Sequence, residues 1–230
     1  MRCVQCRTQQ CFYFCGTGQL SVNGNSRNGI ASDDYIIFQE DGPTVSVNVA
    51  ATGTNGIKVN DGFTINGGIL TIDVKAKGSK GINSDARTTI NGGKTTITTS
   101  GDCLIETVDG VRDTSSCAGI KSDSLFTMTA GTLTITSTGD GGKGVNCSEN
   151  VEVSGGTFVA KTTGDNEIGK PKAVKSLTAI VVSGGSFTAS VEKSWACDNG
   201  TDSEDPAARV TIKGTPKTKS VAKKKVMIAF

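Results

Sequence analysis

From Ile30 onward the chain repeats one arrangement of apolar and polar positions. An apolar residue preceded by Gly or Ala recurs at Ile30, Ile57, Ile82, Ile120, Val145 and Val174, at spacings of 27, 25, 38, 25 and 29 residues. Each anchor is followed by a short apolar pair, such as Phe63 and Ile65, Phe126 and Met128, or Val151 and Val153. A glycine pair comes next (Gly67 and Gly68, Gly92 and Gly93, Gly155 and Gly156, Gly184 and Gly185), then a strictly alternating run such as Leu133-Thr134-Ile135-Thr136. Period-two alternation rich in Thr, Val and Ile, broken by glycine, predicts short strands. No stretch carries a helical period.

Strand, turn, strand, turn at a fixed period predicts an all-β fold. It is a single-stranded parallel β-helix (β-solenoid) with coils of about 25 residues, stacked at about 4.8 Å. A β-sandwich is the competing all-β reading, but sandwich strands do not usually repeat the same corner residues in register. Glycine suits the corners because it accepts positive φ and close backbone approach without steric cost. The repeats cover residues 29–191. Residues 1–28 are expected to form a cysteine-rich N-terminal cap, residues 103–117 an insertion between coils, and residues 192–230 a C-terminal loop, last strand and basic tail.

Composition fits this picture. The chain has 230 residues, 35% of them hydrophobic, 5% aromatic, with 30 Gly, as a narrow coil interior filled by Val, Ile and Leu requires. The net charge of +2 implies neither nucleic acid nor membrane as a partner, and no apolar run is long enough to span a bilayer.

The eight cysteines raise disulfides and with them an oxidising, secreted or extracellular setting. Cys103 and Cys117 bracket the insertion, and a bond between them would close its neck; Cys147 and Cys197 are a second candidate pair. Cys3, Cys6, Cys11 and Cys15 lie in the expected cap, where four thiolates also suit zinc, and where such a cap offers a route to end-to-end self-assembly. The triplets beginning at Asn146 and Asn199 are glycosylation sequons.

There is no His, which removes every His-dependent triad and metal site. What stands out instead is a column. The residue after each anchor reads Ala31, Lys58, Asn83, Lys121, Asn146, Lys175, and two positions on come Asp33, Asn60, Asp85 and Asp123, with Asp61 beside them. In a β-helix equivalent positions share one face, so Lys58, Asn83, Lys121, Asn146 and Lys175 are expected to form a ribbon suited to a polyanionic chain. The acids Asp33, Asp61, Asp85 and Asp123, with the turn acids Asp102 and Asp140, offer the oxygen ligands that Ca²⁺ takes. The alternative is that Lys and Asp neutralise one another along a solvent face. A second outward array of Thr71, Thr96, Thr98, Thr134, Thr136 and Thr188 raises ice binding, although Asp73, Val159 and Lys161 interrupt it.

The units Gly-Ile-Lys-Ser-Asp, a strand, a glycine pair, Thr-rich alternation and Thr-Gly-Asp-Gly-Gly-Lys-Gly-Val resemble those of a secreted carbohydrate-binding β-helix family that binds cellulose and polygalacturonate. The resemblance covers roughly residues 29–191. It implies a right-handed parallel β-helix similar to pectate lyases, calcium in acidic loops, and binding of acidic polysaccharide without cleavage. The cysteine-rich start, the bracketed insertion and the sequons depart from that pattern, and Ser148 and Leu177 replace the Asp column in the last coils. The expectation is therefore a non-enzymatic extracellular binder of acidic polysaccharide assisted by Ca²⁺. A uronate lyase and a subunit of an extracellular filament or coat are the alternatives.

Overall fold

The alternating segments form strands, and strands from successive copies pair in parallel, residue for equivalent residue. The computed structural model describes residues 11–230, apart from the side chain of Val108; the expectations for Cys3 and Cys6 lie outside them. The result is an all-β solenoid of about seven turns with roughly 25-residue spacing. Its strands line up in three sheets. The short face starts at Cys11–Phe14 and ends at Thr211–Ile212; the long face starts at Gln19–Gly24 and runs through Ser186–Val191. The anchor face comprises Ile30–Ser32, Ile57–Val59, Lys80–Ser84, Ala118–Ser122, Lys143–Cys147, Lys172–Ser176 and Cys197–Asp198.

From Tyr35–Phe38 through Ser186–Val191, alternate residues of the strands in the three faces point inward and fill the interior. Ile57, Ile82, Ile120 and Val145 are fully buried, each removing apolar surface worth roughly 1.5–3 kcal/mol. Aromatic rings stack along the axis at two places: Phe14 on Phe38 with centroids 4.4 Å apart, and Phe158 on Phe187 at 4.8 Å. The corner between the short and long faces uses the glycine pairs as predicted. The second member (Gly68, Gly93, Gly131, Gly156, Gly185) has φ between 67° and 78°, a left-handed conformation that favours glycine.

The solenoid extends beyond the predicted repeats at both ends. Cys11–Phe14 pairs with Tyr35–Phe38, and Gln19–Gly24 with Thr44–Val49, in the common register. Residues 11–28 are therefore largely coil rather than cap, although their sequence departs from the repeat. At the other end Cys197–Asp198 extends the anchor face and Thr211–Ile212 the short face. Lys225–Ala229 then pairs antiparallel with Ser186–Val191 and is itself covered by Thr218–Val221. This hairpin ends the parallel stacking, and its edge strand carries a lysine, a device that discourages edge-to-edge pairing.

The insertion is a β-hairpin, Leu104–Val108 against Val111–Ser115. Its tip, Asp109-Gly110, has φ of 51° and 77°, as two-residue hairpin turns require. The expected bond across its neck is not formed: Cys103 and Cys117 are both buried free thiols, and the Cys117 sulfur lies 3.3 Å from the carbonyl oxygens of Ala76 and Asp102. Cys147 and Cys197 are also free, and register shows why. Cys197 stands opposite Val174, which stands opposite Val145, so Cys147 is two coils and two residues away. That is about 10 Å along the stack alone, beyond the roughly 7 Å Cα separation a disulfide tolerates. Cys147 instead occupies a column with Ser84, Ser122 and Ser176. There its thiol donates to the Ser124 carbonyl at 2.8 Å, as the Ser176 hydroxyl donates to the Glu149 carbonyl at 2.7 Å.

Candidate functional site

Parallel stacking in constant register turns an offset in sequence into a line in space. Ala31, Lys58, Asn83, Lys121, Asn146 and Lys175 are consecutive partners across the anchor face, and Asp198 continues the column. The five predicted ligand residues thus lie on one face in one row, with lysines two coils apart separated by about 10 Å.

Two of the three lysines are matched by acids of their own face. The Lys58 ammonium pairs with Asp85 of the next coil, and that of Lys121 lies 2.8 Å from Asp123 two residues on. Toward the N-terminal end of the solenoid, therefore, the ribbon is a mixed row of charges. Asp33 accepts from Asn60 Nδ2 at 3.1 Å. Asp61 lies in a concavity of about 470 Å³ with Tyr35, Arg87 and Ser124.

The turn acids serve the backbone. Asp140 N donates to Asp102 Oδ1 at 3.1 Å, and Asp165 N to Asp140 Oδ1 at 2.7 Å, so each carboxylate fastens the next coil. Among the described residues no three Asp, Glu, Cys or His side chains converge in a way that would hold a metal ion. Asp33, Asp61, Asp85, Asp123, Asp102 and Asp140 are distributed along the stack.

Of the sequon residues, Asn146 lies inside Lys143–Cys147, between Lys121 and Lys175. A glycan there would cover the row, so glycosylation at Asn146 and ligand binding by its neighbours exclude one another. Asn199 lies in a loop, its amide nitrogen 3.1 Å from the Ala208 carbonyl. On the long face, Thr71, Thr96 and Thr134 form one outward column that passes to Val159. Thr98 and Thr136 form a second, bounded by Asp73 and Lys161.

Positive charge collects at the C-terminal third of the anchor face. A cleft of about 270 Å³ is lined there by Thr114, Ser116, Lys143, Lys170, Lys172 and Lys175, with Asp198 at its edge. Lys143 and Lys172 are register partners and are 8% and 5% exposed. Lys172 is paired with Asp198 at 2.9 Å, which also accepts from Arg209 at 3.1 Å. Lys143 donates to Ser116 Oγ and approaches the Gly141 carbonyl at 3.4 Å. Burial, against a smaller opposing contribution from Cys103 and reinforced by Lys175, Lys172 and Lys80, brings its pKa down to about 8. The repeat alone did not reveal this cluster. Lys143 and Lys172 precede their anchors by two positions, in a column that reads Asn28, Asn55, Lys80, Ala118, Lys143 and Lys172, and the recurrence of lysine at that offset is the signal for them.

A family model described as carbohydrate-binding domain-containing protein matches the chain twice, over residues 8–104 and 71–167. The two matches are offset by 63 residues (71 − 8), the separation of Ile57 and Ile120 (120 − 57), so the overlap reflects the internal repeat. No curated protein and no solved structure matches. The matched residues make up more than half of the chain, and with the β-solenoid architecture on which they fall, this chain belongs to the carbohydrate-binding domain-containing protein family.

Proposed function

We propose that this protein is a non-enzymatic extracellular binder of acidic polysaccharide, which it engages along the anchor face. Family membership supports carbohydrate binding. The observation that carries the acidic preference is the single row of Lys58, Asn83, Lys121, Asn146 and Lys175 leading into the lysine cleft. Lys175 and the cleft lysines meet a uronate as cationic point charges. Lys58 and Lys121, already paired with Asp85 and Asp123, and the asparagines between them offer hydrogen-bonding groups to the sugar hydroxyls at intervals set by the coil spacing. Calcium enters this reading as an ion bridging glycan and protein carboxylates, since among the described residues the acids do not converge on a ready-made seat. The right-handed, pectate-lyase-like winding implied by the resemblance belongs to the same proposal.

The test is affinity electrophoresis or calorimetry with polygalacturonate and with a neutral glucan, each with calcium and with EDTA. Retardation by polygalacturonate that weakens with salt is expected; equal affinity for the neutral polymer would remove the acidic preference. One observation favours a lyase as the second reading. A buried lysine with lowered pKa beside further lysines combines a base for the proton α to a uronate carboxylate with cations for the developing charge. Unsaturated product, followed in the ultraviolet during the same incubation, decides between binder and lyase.

A further inference from the structure

We infer that the cleft between the inserted hairpin and the anchor face is a seat for one anionic group of a sugar, a carboxylate or sulfate ester, held by Lys143, Lys172 and Lys175. The inference deepens the acidic-glycan reading and rests on it for the claim that the anion belongs to a sugar. The two longest departures from the 25-residue spacing converge on this place. The 38-residue interval from Ile82 to Ile120 contains the hairpin, which supplies Thr114; Ser116 follows it in the same interval. The 29-residue interval from Val145 to Val174 supplies Gly169 and Lys170. Elsewhere the coils are near-uniform, and here both irregularities build walls around one set of lysines.

Charge inside the cleft is unbalanced. Asp198 is its one acid, already shared by Lys172 and Arg209. Among the described residues the Lys143 ammonium, though largely buried, has only the neutral oxygens of Ser116 and Gly141 as partners. A buried cation without a counter-charge is costly, and an entering anion relieves that cost while gaining charge-assisted hydrogen bonds. Size sets the scale of the ligand. About 270 Å³ falls below the roughly 300–1,000 Å³ of drug-sized ligand sites, so the cleft takes one sugar residue or its charged substituent. The remainder of a longer chain would lie along the row from Lys175 toward Lys121. The groups facing Lys143 are Lys80, Lys172, Lys175, Cys103 and, through Lys172, Asp198. With lysines predominating, binding is strongest below about pH 8 and declines above it as Lys143 loses its proton.

The test titrates the full chain calorimetrically with methyl galacturonoside, galactose 6-sulfate, methyl galactoside, inorganic sulfate and polygalacturonate. The expected result is at least a tenfold preference for an anionic sugar over methyl galactoside. Lys143→Met should abolish that preference and Lys143→Arg should retain it. Should Lys143→Met fail to fold, Lys170→Gln and Lys175→Gln at the rim decide, each expected to weaken the anionic sugar severalfold. Anionic and neutral sugars binding alike, rim variants binding as the parent does, or inorganic sulfate binding as tightly as either sugar would each overturn the inference. Polymer binding unchanged in Lys143→Met, with no binding of single sugars, overturns it while leaving the broader reading intact. Lys143-dependent binding of single anionic sugars without polymer binding upholds the seat and sinks the polysaccharide reading.

Discussion

Gly81 gives Ile97 the space it occupies: a β-carbon on Gly81 would overlap Cγ2 of that isoleucine. The relationship recurs between Gly56 and Ile72 and between Gly119 and Ile135, with the long-face partners in register. Toward the C-terminal end the pair becomes more even in size. Gly144 faces Ala160 in place of an isoleucine, and one coil on the glycine column passes to Ala173 while the isoleucine column passes to Ala189. Gly81→Ala should therefore destabilise by about 2 kcal/mol through overpacking, and Ile97→Ala by about 2–5 kcal/mol through a cavity. The double variant should cost less than their sum, with a coupling of about 1 kcal/mol. Chemical denaturation of the four proteins measures it, and strict additivity would show that the cost of Gly81→Ala comes from the Gly119 carbonyl oxygen, which the added β-carbon would also meet, rather than from Ile97.

The hairpin interrupts the solenoid without bending its register. Ile82 to Ile120 spans 38 residues and Ile120 to Val145 spans 25, yet both pairs are neighbours on the anchor face. Excising the thirteen residues 104–116 (38 − 25) restores the common spacing. The shortened chain should retain its circular dichroism spectrum and cooperative unfolding, because the hairpin contributes little core: Val111 is 69% exposed and Ile105 39%. It should lose the wall formed by Thr114 and Ser116. Non-cooperative melting of the excised chain would mean that the hairpin holds the adjoining coils together.

How much of this was legible in the sequence follows from the architecture. In a parallel stack the side chain at a given offset meets the side chain at the same offset one coil on. The run from Lys58 to Lys175 could thus be read as a row before any coordinates. Pairing within the row could not, because whether Lys58 reaches outward or toward Asp85 depends on rotamers that periodicity does not encode. The hairpin carried a readable signal in Asp109-Gly110 between Val108 and Val111, which the bracketing cysteines obscured by suggesting a disulfide-closed loop. The lysine cleft was legible only in part: Lys143, Lys172 and Lys175 sit at fixed offsets from their anchors, but the walls that close around them do not. Thr114, Ser116, Gly169 and Lys170 come from the two irregular intervals, which leave no repeating trace.

Lys143 makes stability depend on pH in a definite direction. Its pKa is about 8 in the folded chain against about 10.4 when unfolded, so between these values the unfolded chain binds more protons. Stability from this residue accordingly rises as pH increases from about 8 toward 10.4. Below pH 8 both states are protonated and the folded state keeps the full cost of a buried cation. Lys80 and Lys172, also lowered chiefly by burial, act in the same sense. The thiols of Cys117, Cys147 and Cys197, raised chiefly by burial, oppose it above about pH 9 by holding protons in the folded state. The contribution of Lys143 is isolated as the difference between parent and Lys143→Met. Relative to the parent, the variant should be more stable at pH 7 than at pH 10, by an amount on the order of 1–3 kcal/mol. A difference independent of pH would show that Lys143 titrates as it does in water.

Asp198 ties the last coil to the cleft, and removing its charge should be costly. Lys172 and Arg209, 5% and 6% exposed, both direct nitrogen atoms at its carboxylate. Asp198→Asn would leave two buried cations without a full counter-charge, and about 3 kcal/mol of destabilisation is expected, as for other buried pairs stripped of one partner. Burial pushes the Asp198 carboxyl up, but the Lys172 hydrogen bond and charge, the Gly200 amide and Arg209 more than offset it, so it lies below its ordinary 3.8. Its stabilisation is therefore present above pH 3.8 and lost as pH falls through the lower folded value. Asp198→Asn should flatten that part of the acid-denaturation curve. Trp195, the one tryptophan in the chain, reports on the site directly. The Arg209 guanidinium lies 4.0 Å from its ring centroid and the Lys223 ammonium 4.5 Å, so a released Arg209 should change its fluorescence at neutral pH before global unfolding. Adding Lys172→Met to Asp198→Asn removes one of the orphaned cations and should recover part of the lost stability. A double variant no more stable than Asp198→Asn alone would assign the cost to Arg209 rather than to Lys172.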